Sequence, residues 1–165
     1  MRNETIFPDV PLPEQLTYEF LGTFARSEYA LKCSGFAKGS RKSVEADWDK
    51  FGTAIAWHFS RVKAEAFREC VDYLLNQPPR KQVIRDGHIG WQESAPDANL
   101  PRSQQTLLMV RRVRNNLFHG AKIWSPERSD DRDRDVRLVS SGLVVIKRCM
   151  ALRGDVEDAF RFGVF

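Results

Sequence analysis

The stretch of sequence that best combines chemically useful side chains is VRRVRNNLFHGAK, residues 110–122. Arg111, Asn115 and His119 are spaced so that a helix would put them on one polar face, with Arg114 beside them. A guanidinium can hold a phosphate through two parallel hydrogen bonds, and an imidazole can gain or lose a proton near neutral pH. The helix would therefore offer a cationic, hydrogen-bonding strip that ends in an imidazole.

The sequence gives no pattern for a metal site beside these residues. Cys33, Cys70 and Cys149 are far apart and lack the spacing of zinc ligands. Between Arg128 and Arg137, aspartates are interspersed with arginines that neutralise them, which does not favour Mg²⁺. We therefore expect chemistry without a metal or another cofactor.

Apolar side chains recur at helical spacing in four parts of the chain, and no part shows the convincing alternation of a half-buried strand. The pattern predicts helices at about 13–35, 44–76, 103–119 and 133–160. For the second region it leaves open whether there is one long helix or two with a break near Ser60. We predict an all-α fold, an up-and-down bundle of four to five helices.

Two parts of the chain do not fit a helix. Residues 1–12 contain prolines and are interpreted as an extended N-terminal lead-in, and residues 80–102, with Gly87 and Gly90, as a long irregular loop. Ordered loops of this length often carry function. The length of the chain fits a single domain over residues 1–165.

Composition limits the possible compartments and partners. Lys and Arg number 26 against 22 Asp and Glu, and Arg, which suits phosphate, is the more frequent cation. No apolar run is long enough to span a bilayer, and prolines and acids stand where a signal peptide needs an apolar core. We expect a cytoplasmic protein without a membrane partner, and the positive charge permits a nucleic acid partner.

The six residues from Arg114 to His119, RNNLFH, match the motif of the HEPN superfamily, an Arg followed by a polar residue, a short spacer and a His. The chain also resembles this superfamily in having the motif at the end of the penultimate long helix. The resemblance implies a HEPN-type bundle and a metal-independent endoribonuclease that uses the 2′-OH of RNA as its nucleophile. It implies that Arg114 and His119 are catalytic and that Asn115 supports them.

The resemblance also has implications for partners. In HEPN proteins the active cleft usually forms between two domains that each contribute one motif, so a single motif in a short chain implies a homodimer. A role as a toxin or a defence effector, with an antitoxin or another protein as partner, would be similar to that of other members. The alternative is a non-catalytic HEPN-fold module that binds a protein, a nucleotide or RNA.

Four further residues have two interpretations each. Glu28 is in helical register with the apolar face of the first helix and would need a partner if it were buried. It could orient Arg114, as acids of the first helix do in some HEPN proteins, or form a boundary salt bridge elsewhere, which we favour slightly. Arg111, Arg112 and Lys122 flank the motif and could bind the RNA backbone, or could simply form a solvated basic face.

Overall fold

The computed structural model of the protein describes residues 12–118 and 132–163, which form helices and two β-hairpins. The elements are α1 (Glu14–Cys33), β1 (Ala37–Ser40), β2 (Ser43–Ala46), α2 (Trp48–Ala54), α3 (Ala56–Phe59), α4 (Glu65–Asn76), β3 (Lys81–Arg85), β4 (His88–Gln92), α5 (Arg102–Phe118), α6 (Arg132–Met150) and α7 (Gly154–Phe162). The sequence predicts an all-α bundle of four to five helices; the mostly helical character is confirmed, and the described residues form seven helices. The two hairpins were not predicted.

Helix α6 lies at the centre of the helical packing, where it contacts α1, α4, α5 and α7. Its buried residues cover most of its circumference, and an exposed stripe that includes Arg137, Val144 and Lys147 remains. Gly142 of α6 makes room for the ring of Phe20, because a Cβ there would lie 3.0 Å from a ring carbon. The core is continuous from α1 through α6 to α7.

Several predicted helix boundaries agree with the structure. Pro13 immediately precedes α1, and α5 occupies nearly the whole of the predicted 103–119 region. The region 133–160 is not one helix, because the chain turns at residues 151–153 so that α7 can pack against α1. Of the predicted lead-in over residues 1–12, only Leu12 lies within the described residues, and its side chain is buried.

The region 44–76 contains separate short elements instead of a long helix. Its start is strand β2, which pairs with β1 across a two-residue turn at Arg41 and Lys42. Helix α2 begins where the Asp47 carboxylate accepts a hydrogen bond from the Lys50 N–H, a common N-cap arrangement. The chain leaves α3 at Ser60, and α4 follows from Glu65, so the possible break near Ser60 is present.

The prediction of an irregular loop over residues 80–102 is wrong for residues 81–92, which form the antiparallel hairpin β3–β4. Asp86 and Gly87 connect the strands, and both have positive φ, 51° and 77°. Asp-Gly between two short β-prone runs is a strong signal for a two-residue hairpin turn. Gly87 is therefore a turn residue, because it supplies the backbone conformation that this turn requires.

Helices α2 and α5 are in close backbone contact at Gly52. The Ser103 hydroxyl donates a hydrogen bond to the Gly52 carbonyl at 2.6 Å, and a Cβ on Gly52 would lie 2.9 Å from the Gln104 Cα. This approach packs the second half of α2 against the first turn of α5. Among the described residues, no helix combines the length and apolar character needed to cross a membrane.

Candidate functional site

The guanidinium of Arg114 on α5 lies against α1. Its Nη2 is 3.5 Å from the Glu28 Oε1, and its Cζ lies 4.9 Å from the centre of the Phe24 ring. The side chains of Arg114 and Glu28 are 29% and 33% exposed, so the pair is partly shielded from water but reachable. The structure therefore places Glu28 beside Arg114 and not in a salt bridge elsewhere.

Trp48 of α2 connects Glu28 to the core. Its indole N–H donates to the same Glu28 oxygen at 3.3 Å, and its ring centre is 5.1 Å from that of Phe24. Trp48 itself is buried. The contact with Glu28 was not foreseen, although a buried indole N–H usually finds an acceptor.

These contacts fix the direction of the Arg114 guanidinium without using all its hydrogen-bonding capacity. A guanidinium has five N–H donors, and the Glu28 contact is made through Nη2. The Phe24 ring supports one face of the group, a favourable arrangement for a cation. Arg114 is therefore oriented by α1 and α2, and it can still donate to an anion that approaches from solvent.

The polar face of α5 that the sequence predicts is partly visible in the structure. Asn115 is exposed, and Arg111 Nη1 lies 3.4 Å from Asp49 Oδ1 at the start of α2. The side chain of Arg111 is about one third exposed, so it remains available at the surface. His119 and Lys122 lie outside the described residues.

Arg112 does not belong to this face. Its Nη1 donates to the backbone carbonyls of Pro79, at 3.0 Å, and Ser94, at 2.6 Å, which precede and follow the β3–β4 hairpin. Burial of this guanidinium lowers the pKa of Arg112 below its usual value. The sequence assigns Arg112 to RNA binding, and in the structure its half-buried charged group holds the ends of the hairpin.

Asn116 reinforces the attachment of the hairpin to α5, a role that the sequence analysis missed. Its Nδ2 donates to the Arg80 carbonyl at 2.9 Å, and its side chain is buried. Two consecutive asparagines in RNNLFH thus differ in environment, since Asn115 is exposed and Asn116 is buried. The apolar positions Val113 and Leu117, which adjoin Asn116 on the helix, were the available signal for its burial.

Over residues 12–118 and 132–163, no group of three or more His, Cys, Asp or Glu side chains is arranged to hold a metal ion. What the described part of the site offers is an oriented guanidinium, a neighbouring carboxylate and an exposed amide at the end of a helix. This arrangement can bind an anion such as a phosphate and stabilise charge on it. Comparison with known proteins gives no match to a family model, to a curated protein or to a solved structure.

Proposed function

We propose that this protein is a metal-independent endoribonuclease of the HEPN class that acts as a homodimer in the cytoplasm, as a toxin or a defence effector. The proposal includes a HEPN-type arrangement of the helices. The observation that carries it is the oriented guanidinium of Arg114, which is paired with Glu28 and supported by Phe24, while the Arg114 side chain stays 29% exposed. The motif residue His119 lies five residues later in the sequence.

The chemistry assigns a distinct task to each motif residue. The 2′-OH of the RNA attacks the adjacent phosphorus, the bond from phosphorus to the 5′-oxygen breaks, and the products are a 2′,3′-cyclic phosphate and a 5′-OH. Arg114 stabilises the negative charge that grows on the phosphate oxygens. His119 transfers a proton to or from a reacting oxygen, and Asn115 orients the phosphate or the imidazole.

Glu28 and Trp48 act in this proposal as positioning residues. The Glu28 carboxylate holds Nη2 of Arg114, and the buried indole of Trp48 holds the carboxylate. A guanidinium whose direction is set before the substrate arrives loses less conformational freedom when it binds. Arg111, which is exposed beside Arg114, would contact the RNA backbone without reading its sequence.

The alternative is a HEPN-fold module that binds a protein, a nucleotide or RNA and cuts nothing. One observation favours it, because the charge of Arg114 is already balanced by Glu28 at 3.5 Å. In that case the partly exposed ion pair would have the structural role of joining α5 to α1. The two functions differ in whether Arg114 is needed for chemistry or for stability.

The test is an incubation of purified protein with mixed cellular RNA in the presence of EDTA. We expect the wild type to cut, and we expect Arg114→Ala and His119→Ala to lower the rate by roughly a hundredfold or more, the usual scale for such groups. Arg102→Ala is the matched control, since it removes an Arg that pairs with Asp72 at the opposite end of the same helix. It should cut like the wild type.

The folded state of every variant is checked by circular dichroism and thermal unfolding. Cleavage that survives both motif substitutions would show that Arg114 and His119 are not the catalytic residues. Absence of cleavage by the wild type on any RNA would favour the binding module, and RNA affinity measured on the same samples would then identify the ligand class.

A further inference from the structure

The β3–β4 hairpin carries two exposed isoleucines that face each other across its strands. Ile84 is 79% exposed and Ile89 is 76% exposed, and the two residues are partners in the strand register. One residue pair, Arg85 and His88, separates them from the Asp86–Gly87 turn. Two large apolar side chains at the tip of a projecting hairpin form a surface that favours a contact with another molecule.

The two strands of the hairpin differ in charge and in position. Strand β3 contains Lys81 and Arg85, whereas β4, His88–Gln92, contains no Asp, Glu, Lys or Arg. Strand β3 is the one that lies against α5, so β4 is the outer strand. In the part of the chain that the structure describes, this sheet has only these two strands.

Unpaired edge strands of natural proteins are usually protected by charged side chains, especially lysines, or by other elements. In this hairpin the charged strand is the inner one, and the outer strand is uncharged. The backbone groups of β4 also point towards a possible partner strand. A two-residue turn makes the pair nearest to it, Arg85 and His88, the hydrogen-bonded one, so the next residue, Ile89, directs its N–H and C=O away from β3.

We propose that β4 is a homotypic interaction surface and pairs antiparallel with β4 of a second copy of this chain. The two hairpins then form one four-stranded sheet with the order β3–β4–β4–β3. The two copies of Ile89 then lie near each other on one face of that sheet, where β-branched side chains pack well against neighbouring strands, and each Ile84 lies one strand farther from the interface.

The distribution of charged side chains allows β4 to pair with β4 of a second copy. Antiparallel pairing of β4 with itself about the middle of the strand brings no charged side chain opposite a like charge. The same arrangement of β3 with itself would set Lys81 opposite Arg85, which destabilises a sheet. Charge repulsion therefore does not oppose pairing of the outer strand with itself, whereas it would oppose such pairing of the inner strand.

The hairpin is attached to the helix that carries the motif. Arg112 binds the carbonyls on either side of the hairpin, and Asn116 binds the Arg80 carbonyl. A dimer through β4 would hold two copies of α5 in one particle. The interface itself does not depend on catalysis, and only the need for a second motif rests on the proposed function.

The test measures the dimer dissociation constant of the full chain by sedimentation velocity over a dilution series. We expect a wild-type dimer and at least a tenfold weaker dimer for Ile89→Lys, because the substitution removes an apolar contact and puts like charges close together across the two-fold axis. Ile84→Lys is the matched control. It adds the same charge at an equally exposed position of the inner strand, and it should weaken the dimer less than threefold.

A mixing experiment separates a lost interface from a damaged hairpin. Ile89→Lys and Ile89→Glu should each be mostly monomeric alone, and an equimolar mixture should recover dimers, because opposite charges then lie near each other. A monomeric wild type at concentrations up to hundreds of micromolar would overturn the inference. So would equal weakening by Ile84→Lys and Ile89→Lys, or no recovery on mixing.

The RNA cleavage assay on the same proteins keeps this result distinct from the proposed function. If Ile89→Lys stays dimeric and the wild type cuts RNA, the β4 interface is refuted and the nuclease stands. If Ile89→Lys becomes monomeric and the wild type cuts nothing, the interface stands and the nuclease is refuted.

Discussion

Replacing Arg112 with Met tests whether this residue holds the hairpin or binds RNA. Met keeps much of the apolar stem and removes the guanidinium, whose Nη1 donates to the Pro79 and Ser94 carbonyls at 3.0 and 2.6 Å. A hydrogen bond from a charged donor contributes about 1.5–3 kcal/mol, so two would contribute about 3–6 kcal/mol. The guanidinium is only half-buried, and its removal also ends the cost of its desolvation. We therefore expect a loss of about 2 kcal/mol in the free energy of unfolding.

The measurement is urea unfolding followed by circular dichroism, with hydrogen exchange of residues 81–92 as a local readout. Arg111→Met is the control on the same helix, where an exposed ion pair with Asp49 contributes about 0.5 kcal/mol or less. Hydrogen exchange in β3 and β4 should accelerate in Arg112→Met and stay unchanged in Arg111→Met. An Arg112→Met protein as stable as the wild type but with weaker RNA binding would refute the structural role.

Two further predictions concern the packing of α2 and the first turn of α7. Gly52→Ala should lower the free energy of unfolding by about 1–3 kcal/mol, because the new Cβ would lie 2.9 Å from the Gln104 Cα. This loss should exceed the gain from the higher helix propensity of Ala. Thermal unfolding measures the effect, and an unchanged or higher Tm would show that α2 shifts freely. Hydrogen bonding from Arg153 holds the pKa of Asp155 below its usual range. Because the pKa is lower in the folded state, the ionised carboxylate stabilises the protein at pH values above its unfolded-state pKa of about 3.9. This stabilisation is lost as the pH falls through the folded-state pKa. Asp155→Asn should therefore lower the free energy of unfolding by about 0.5 kcal/mol at pH 7 and by progressively less below pH ~4. Urea unfolding at each pH measures this difference, and a difference independent of pH would contradict the stated cause.

The sequence predicted the helices well wherever one side of a segment is apolar over several turns. This holds for α5, where Val113 and Leu117 are buried and Asn115 is exposed as its pattern indicates. It fails for strands of four or five residues, since such a short alternation is hard to distinguish from a loop. The Asp86–Gly87 turn was the one local signal that could have identified β3 and β4.

By itself the sequence determined that the chain is mostly helical and that Arg111, Arg114 and Asn115 belong to one polar side of a helix. These properties depend on helical periodicity and on the water solubility of each side chain, both of which are local. The likeness of RNNLFH to a HEPN motif also comes from the sequence alone, and it stays a prediction.

Only the tertiary structure decided which neighbour each polar group finds. Glu28 could have paired anywhere along the boundary of α1, and the packing of α1 and α2 against α5 brought it to Arg114 and Trp48. Arg112 and Arg114 have the same side chain two positions apart, which puts them on nearly opposite sides of α5. One therefore meets the carbonyls at the ends of a hairpin, and the other meets a carboxylate at a surface that RNA could reach.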